Sequence, residues 1–163
     1  MSGPRAVQVT RTLASLGEFG WTSRVVCFGP RSNRYQQDYR VSLEQLSGGQ
    51  ASLIPVRSPE EWLLFRTLWR LAPGLKQLPD EKRVWMPGAL RAAQASLDRL
   101  PADLLVSFAQ PWSDHLIALR LKRERRLPWV AHFSDPWVDS PYFRPGAWAR
   151  RRAESWERQV IAE

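Results

Sequence analysis

Residues 127–142 read LPWVAHFSDPWVDSPY, a short apolar segment that turns abruptly into a polar one. The apolar part, Trp129-Val130-Ala131, follows Pro128 and predicts a short buried strand. The polar part begins at His132 and is interrupted by Pro136. A buried strand that ends in a polar loop commonly presents side chains to a ligand in α/β proteins. The end of this strand is therefore the first candidate for a functional site.

Helical and strand-like segments alternate along most of the 163 residues. Apolar residues at helical spacing predict helices over residues 4–19, 59–72, 87–100, about 115–126 and about 146–163. Apolar runs bounded by Gly, Pro or polar residues predict strands over residues 21–28, 51–56, 104–108 and 129–131. The run 104–108 is almost continuously apolar, as in a central strand covered on both faces. This order predicts an α/β fold with a Rossmann-like, doubly wound parallel sheet.

Both ends of the sequence indicate a piece of a larger fold. Gly3-Pro4-Arg5 is typical of a loop between a strand and a helix, but no strand precedes it. At the other end the chain stops within a helical pattern. We therefore expect one domain, residues 1–163, that lacks its first strand and a C-terminal portion.

The composition predicts a folded domain with an anionic partner. Hydrophobic residues make up 44% of the chain and charged residues 25%, which is typical of a protein with a core. The net charge of +8 favours nucleic acid, phosphates or an anionic membrane face as partner. Cys27 is the only cysteine, which fits a reducing compartment and predicts a cytoplasmic location.

Polar residues stand at the ends of two predicted strands and in the loop that opens the first helix. Ligands of open α/β sheets bind outside the carboxyl ends of the strands, so these residues are expected to converge on one crevice. The residues concerned are Arg5, Ser107, Gln110, His132, Ser134 and Asp135.

Several of these residues also have a structural interpretation. Ser134 and Asp135 are residue types that cap loops by bonding to nearby backbone. His132 shares a strand face with Val130, where a hydrogen-bonded structural histidine is common. Trp137 is either a stacking platform for a sugar ring or a packing residue. Residue types alone leave these alternatives open.

The sequence contains no motif for a metal or a nucleotide phosphate. Two histidines and one cysteine provide no ligand cluster, and neither a P-loop nor a Gly-x-Ser-x-Gly elbow is present. No metal and no cofactor are therefore expected. The basic segments 120–126 and 150–152 are either solvated helix faces or surfaces for an anionic membrane or lipid-linked substrate.

Three segments resemble the N-terminal domain of family 4-type glycosyltransferases of the GT-B fold. These segments are residues 3–5 with the following helix, residues 103–116 and residues 127–137. The closest likeness is to the bacterial branch that builds surface polysaccharides, and its most specific part is PWVAHFSDPW at residues 128–137. Asp80, Trp85 and Glu157 resemble further positions of the family.

This resemblance implies a hexosyltransferase-type enzyme that moves a sugar from a nucleotide-sugar donor to a sugar or lipid-linked acceptor. The chain would form the acceptor side of the cleft. A C-terminal domain, absent here, would bind the nucleotide sugar, so the chain alone would be inactive. Enzymes of this type generally need no metal. The implied location is cytoplasmic, peripheral at the inner face of the membrane.

The resemblance also assigns roles by position. Asp135 becomes the candidate catalytic base or orienting group beside the acceptor hydroxyl. The candidate acceptor- and donor-binding residues are Gly3, Arg5, Ser107, Gln110, His132, Ser134 and Trp137. Ser134 stands where the family usually has an Arg, and His132 where an acidic residue is common. These departures imply different polar contacts in the turn, and with them a different acceptor or a weakened activity.

A non-catalytic basic module for nucleic acid or an anionic membrane surface is the alternative. The net charge of +8 and the interleaved Arg and Trp residues support it. The basic residues are nevertheless spread over several helices, and no nucleic-acid motif is present. Nucleic acid is therefore not the expected partner, and the glycosyltransferase is the leading hypothesis.

Overall fold

A computed structural model describes residues 4–29, 50–57, 78–80, 82–141 and 143–163. The helix predicted over residues 59–72 lies outside these ranges. The chain divides into two compact units, Met1–Arg57 and Ser58–Glu163.

The first unit places one helix on a pair of parallel strands. Its elements are α1 (Pro4–Glu18), β1 (Ser23–Phe28) and β2 (Ala51–Val56). The strands pair from Ser23 opposite Ala51 to Phe28 opposite Val56. Pro55 lies within β2 without breaking this register, although its ring nitrogen has no proton to donate to the ladder.

The sequence pattern of α1 explains both its packing and its end. Val9 and Leu13, four residues apart on one face, pack with Val25 of β1 and with Ala51 and Leu53 of β2. Gly20 then adopts a φ of 80°, in the left-handed region that stops a helix and that glycine enters without strain. The predicted helix thus ends one residue earlier than expected, and the predicted strand begins at Ser23.

The second unit contains a strand–helix–strand arrangement flanked by two further helices. A 3-10 turn (Arg83–Trp85) leads into α2 (Met86–Arg99), followed by β3 (Leu105–Phe108), α3 (Ser113–Arg125), β4 (Trp129–His132) and α4 (Ala147–Ile161). The strands β3 and β4 are parallel, with Leu105 opposite Trp129 and Phe108 opposite His132. Helix α3 packs against both strands and against α2 and α4, which accounts for its many buried residues.

Aromatic rings form the centre of the core of the second unit. The indoles of Trp112 and Trp137 are stacked, with ring centroids 5.2 Å apart and planes inclined by 6°. Trp156 of α4 lies on the Trp137 ring system at a centroid distance of 6.5 Å. Ala153, also on α4, is completely buried in this cluster, where only a small side chain leaves room for the rings. Large, rigid side chains therefore join α4 to the loops that follow β3 and β4.

The α/β class predicted from the sequence is confirmed, with parallel strands and four described helices. The described strands form two separate parallel pairs, so one continuous Rossmann-like sheet is not confirmed. Within the described ranges β3 pairs with β4 alone, whereas a central position had been expected. None of the helices in these ranges combines the length and the apolar character needed to cross a bilayer.

Replacing the central ring should be costly for the second unit. We expect Trp137→Ala to lower the free energy of unfolding by about 3–5 kcal/mol, because it removes a fully buried indole and leaves a cavity. Trp148, which is 66% exposed, provides the control, and Trp148→Ala should change stability by less than about 0.5 kcal/mol. Equal losses for the two variants in denaturant unfolding would contradict this description of the core.

Candidate functional site

Polar residues follow β3 and β4 at the same edge of the strand pair. The ladder continues one step past β3, where the Ala109 N–H donates to the His132 carbonyl oxygen over 3.0 Å. The chain then leaves both strands, and the residues that follow include Gln110, Ser134 and Asp135, all exposed. Because the strands are parallel, their carboxyl ends lie at the same edge, and Gln110, His132, Ser134 and Asp135 end or follow the strands there.

Asp135 is exposed on a turn whose backbone forms hydrogen bonds with Glu157. The Ser134 hydroxyl donates to Asp135 Oδ2 over 2.9 Å, a side-chain contact that orients the carboxylate. Two residues later the backbone is fixed, since Glu157 Oε1 accepts the N–H groups of Trp137 at 3.0 Å and Val138 at 3.4 Å. An accessible carboxylate on an anchored backbone is suited to binding or deprotonating a ligand hydroxyl.

His132 lies at the boundary between this edge and the interior. Its half-buried ring packs on Phe108 of the neighbouring strand, with centroids 5.3 Å apart. Its Nδ1 is buried and has no hydrogen-bond partner among the described residues. A buried nitrogen left without a partner costs about 1–3 kcal/mol. The sequence allows a hydrogen-bonded, structural histidine at this position. Within the described ranges, His132 Nδ1 does not form such a hydrogen bond.

Ser107 belongs to a polar network beneath the edge. Its Oγ lies 2.7 Å from His115 Nδ1 and accepts the indole N–H of Trp129 over 2.9 Å. A serine and a histidine at this distance can form an activated nucleophile. Ser107 is only 6% exposed and His115 is fully buried, however, so a substrate does not reach them in this structure. The network instead cross-links β3, α3 and β4.

The remaining predicted site residues are not part of the exposed edge. Trp137 is fully buried and packs in the aromatic core. Gly3 lies outside the described residues. Arg5 belongs to the first turn of α1 in the other unit, and its side chain is also outside the description. The expected contribution of the Gly3-Pro4-Arg5 loop therefore stays a prediction.

The sequence did not predict that the Asp80 carboxylate binds the first residue of α3. Asp80 Oδ2 accepts the backbone N–H of Ser113 over 2.7 Å. Its Oδ1 accepts the Ser113 hydroxyl over 3.1 Å and the Lys82 N–H over 2.8 Å. Asp80 is thereby the N-terminal cap of a helix 33 residues further along the chain. Ser113-Asp114 before an apolar run is a recognisable helix start, but nothing local indicates Asp80 as its partner.

The neighbouring Asp114 is the more strongly perturbed carboxyl group. Burial raises the pKa of Asp114 well above its usual range, and the negative charge of Asp80 raises it further. Burial also raises the pKa of Asp80, against the opposing effect of its hydrogen bonds from Ser113 and Lys82. Asp114 Oδ1 is buried without a hydrogen-bond partner among the described residues. Of the two carboxyl groups, Asp114 is thus the one whose pKa is raised further.

Among the described residues, no group of three or more His, Cys, Asp or Glu side chains is arranged to hold a metal ion. Comparison with protein-family models, with curated proteins and with solved structures finds no match to this chain. The candidate site is therefore interpreted from its geometry and from the sequence resemblance alone.

The raised pKa of Asp114 predicts how stability changes with pH. Above about pH 4 the unfolded chain loses this proton while the folded chain keeps it, so the Asp114 contribution to stability falls as pH rises. Asp114→Asn removes this titration. We expect the stability of Asp114→Asn relative to the wild type to increase from pH 4 to pH 7 in urea unfolding.

Asp103, an exposed carboxylate before β3, provides the control through Asp103→Asn. As a substitution at an exposed position, Asp103→Asn should change stability by less than about 0.5 kcal/mol. A difference between Asp114→Asn and the wild type that stays constant with pH would show that Asp114 ionises normally in the fold.

The anchoring of the Asp135 turn by Glu157 can be tested separately. Glu157→Ala leaves two backbone N–H groups without their acceptor and should cost about 1–3 kcal/mol. Amide exchange at Trp137 and Val138 should accelerate. Glu154 lies on the same helix and forms only a partly exposed ion pair with Arg150, so Glu154→Ala should cost less than about 1 kcal/mol. Equal exchange rates in the two variants would mean that Glu157 does not hold the turn.

Proposed function

We propose that this chain is the acceptor-side domain of a GT-B glycosyltransferase. The full protein would transfer a hexose from a nucleotide-sugar donor to a sugar or lipid-linked acceptor in cell-surface polysaccharide synthesis. The observation that carries the proposal is the position of Asp135. Its carboxylate is exposed at the carboxyl edge of β3 and β4, on a backbone anchored by Glu157 and by the buried Trp137.

The proposed role of Asp135 is to accept or orient the proton of the acceptor hydroxyl. A general base must approach that proton to about 2.6–3.2 Å between heavy atoms, which requires an accessible carboxylate with a defined direction. Exposure provides the access, and the bond from the Ser134 hydroxyl provides the direction. The hydrogen bonds that Glu157 accepts from the turn limit its movement. This matters for a catalytic base, since a displacement of about 1 Å can weaken catalysis severely.

Gln110 and His132 are the further proposed acceptor contacts. Both follow or end the paired strands at the same edge. The side-chain amide of Gln110 offers donors and an acceptor to sugar hydroxyls. His132 ends β4 with a half-buried imidazole ring, which is the second proposed contact at this edge.

The remaining parts of the proposal follow from the family resemblance. A C-terminal domain would bind the nucleotide sugar. No metal cofactor is included. Gly3 and Arg5 are carried over from the resemblance as proposed contacts of the donor phosphates or the acceptor. The protein would work in the cytoplasm, peripheral to the inner face of the membrane.

The alternative is a non-catalytic basic module. The basic end of α3 gives this alternative less support than its sequence suggested, because its arginines are ion-paired. Arg120 pairs with Glu124, Arg125 pairs with Asp98, and Arg123 pairs with Glu163. These contacts compensate much of the charge that had suggested a nucleic-acid surface. The exposed, ion-paired residues favour the solvated helix face considered for this segment.

The Asp135 role is tested in the protein that joins this chain to a donor-binding domain. We expect Asp135→Ala to lower kcat by about 10²–10⁴-fold with an unchanged unfolding midpoint, because a general base contributes on this scale. Transfer is measured with a panel of nucleotide hexoses and lipid-linked acceptors.

Asp139 is the matched control, since it is an exposed carboxylate of the same loop that pairs with Arg150. Asp139→Ala should retain most of the activity. Unchanged turnover of Asp135→Ala would remove Asp135 from the mechanism. The absence of sugar transfer with every donor and acceptor in the panel would count against the proposed function itself.

A further inference from the structure

The arginines of α4 differ from those of α3 in how their charges are compensated. Arg150 is paired with Glu154 and with Asp139. Arg151, Arg152 and Arg158 are exposed, and none of these three forms an ion pair with a described residue. These three arginines of α4 therefore carry charges that no described carboxylate pairs with.

The carboxylates near the end of the chain bind partners other than Arg151, Arg152 and Arg158. Glu154 is engaged by Arg150, and Glu157 accepts the N–H groups of Trp137 and Val138. Glu163 is engaged by Lys122 and Arg123 of α3. None of these carboxylates forms an ion pair with Arg151, Arg152 or Arg158.

An exposed aromatic ring stands among these cations. Trp148 is 66% exposed, although tryptophan buries a large apolar area wherever it finds a partner. Arg151 and Arg152 follow it by three and four residues, so their side chains lie beside it on the helix surface. Arg158 continues the row two turns beyond Arg151. We define Trp148, Arg151, Arg152 and Arg158 as the Trp148 face.

The face is partly preorganised by the core beneath it. The Arg152 guanidinium lies over the Trp156 ring, 5.0 Å from its centroid, and this contact directs one cation of the face. Trp156 in turn stacks on the buried Trp137. A ring and three cations are therefore presented together on a helix that is fixed by its opposite side.

We propose that the Trp148 face docks on a bilayer surface that contains anionic phospholipid headgroups. The amphipathic indole is suited to the boundary between headgroups and acyl chains. Each arginine brought near an anionic leaflet strengthens binding about fivefold. Three arginines that form no ion pair with a described residue are complementary to such a leaflet, and the neighbouring Glu154 carboxylate is already paired with Arg150.

The docking surface extends the proposed function and does not depend on it. It uses residues of α4 that are separate from the polar edge of β3 and β4. Vesicle binding needs neither a donor nor an acceptor sugar. A failure of membrane docking and a failure of sugar transfer are therefore distinguishable.

Co-sedimentation of the protein with vesicles tests the proposal. Vesicles of phosphatidylcholine with phosphatidylglycerol should bind the protein, and phosphatidylcholine alone should not. Arg151→Gln/Arg158→Gln should weaken binding at least about tenfold, since two of the facing charges are lost. The control is Arg91→Gln/Arg99→Gln on α2, which removes two exposed charges elsewhere and should leave binding close to the wild type.

The aromatic part of the face has its own pair of variants. Trp148→Ala should weaken binding to the anionic vesicles, whereas Trp21→Ala, at a 43% exposed tryptophan of the first unit, should not. The proposal is overturned by any of three results. These are no binding to anionic vesicles, equal weakening by both arginine pairs, and binding to duplex DNA that the vesicles do not compete for.

Discussion

The packing of Trp137 is the interaction on which the second unit and its candidate site depend. Its indole is enclosed between Trp112 and Trp156, while its backbone N–H is held by Glu157. Burying an indole of about 150–250 Å² contributes about 4–6 kcal/mol at 25 cal/mol per Å². Trp137 Nε1 has no hydrogen-bond partner among the described residues, which costs about 1–3 kcal/mol. The apolar gain exceeds this cost, so the ring stays in the core and fixes the turn that carries Asp135.

Buried polar contacts complete the frame around this core. Ser107 joins His115 and Trp129 beneath the strand ends, and Asp80 holds the first turn of α3. Such contacts add little net stability when they are satisfied, but they exclude arrangements in which a buried polar group loses its partner. They therefore select one packing of β3, α3 and β4. The exposed residues at the strand ends gain a defined position because the layer beneath them is fixed.

The charges of the chain divide into compensated and uncompensated groups. The cations at the end of α3 are largely matched by Glu124, Glu163 and Asp98. Hydrogen bonds from Lys122 and Arg123 lower the pKa of Glu163 and keep it ionised. The net charge of +8 is therefore not a uniform property of the surface. The arginines beside Trp148 belong to the group without ion pairs among the described residues, and they lie next to an exposed indole.

The sequence by itself determined the helices, the strands and the α/β class. Apolar spacing, glycine and proline act over a few residues, so Gly20 ends α1 and Trp129–His132 forms a strand much as predicted. It also placed Gln110, His132, Ser134 and Asp135 at shared strand ends. Only the tertiary structure decided that Trp137 is buried, that Ser107 bonds inward and which arginines are paired. These outcomes depend on partners distant in sequence, such as Glu157, 20 residues from Trp137. Local patterns carry no information about such contacts, because packing brings the partners together.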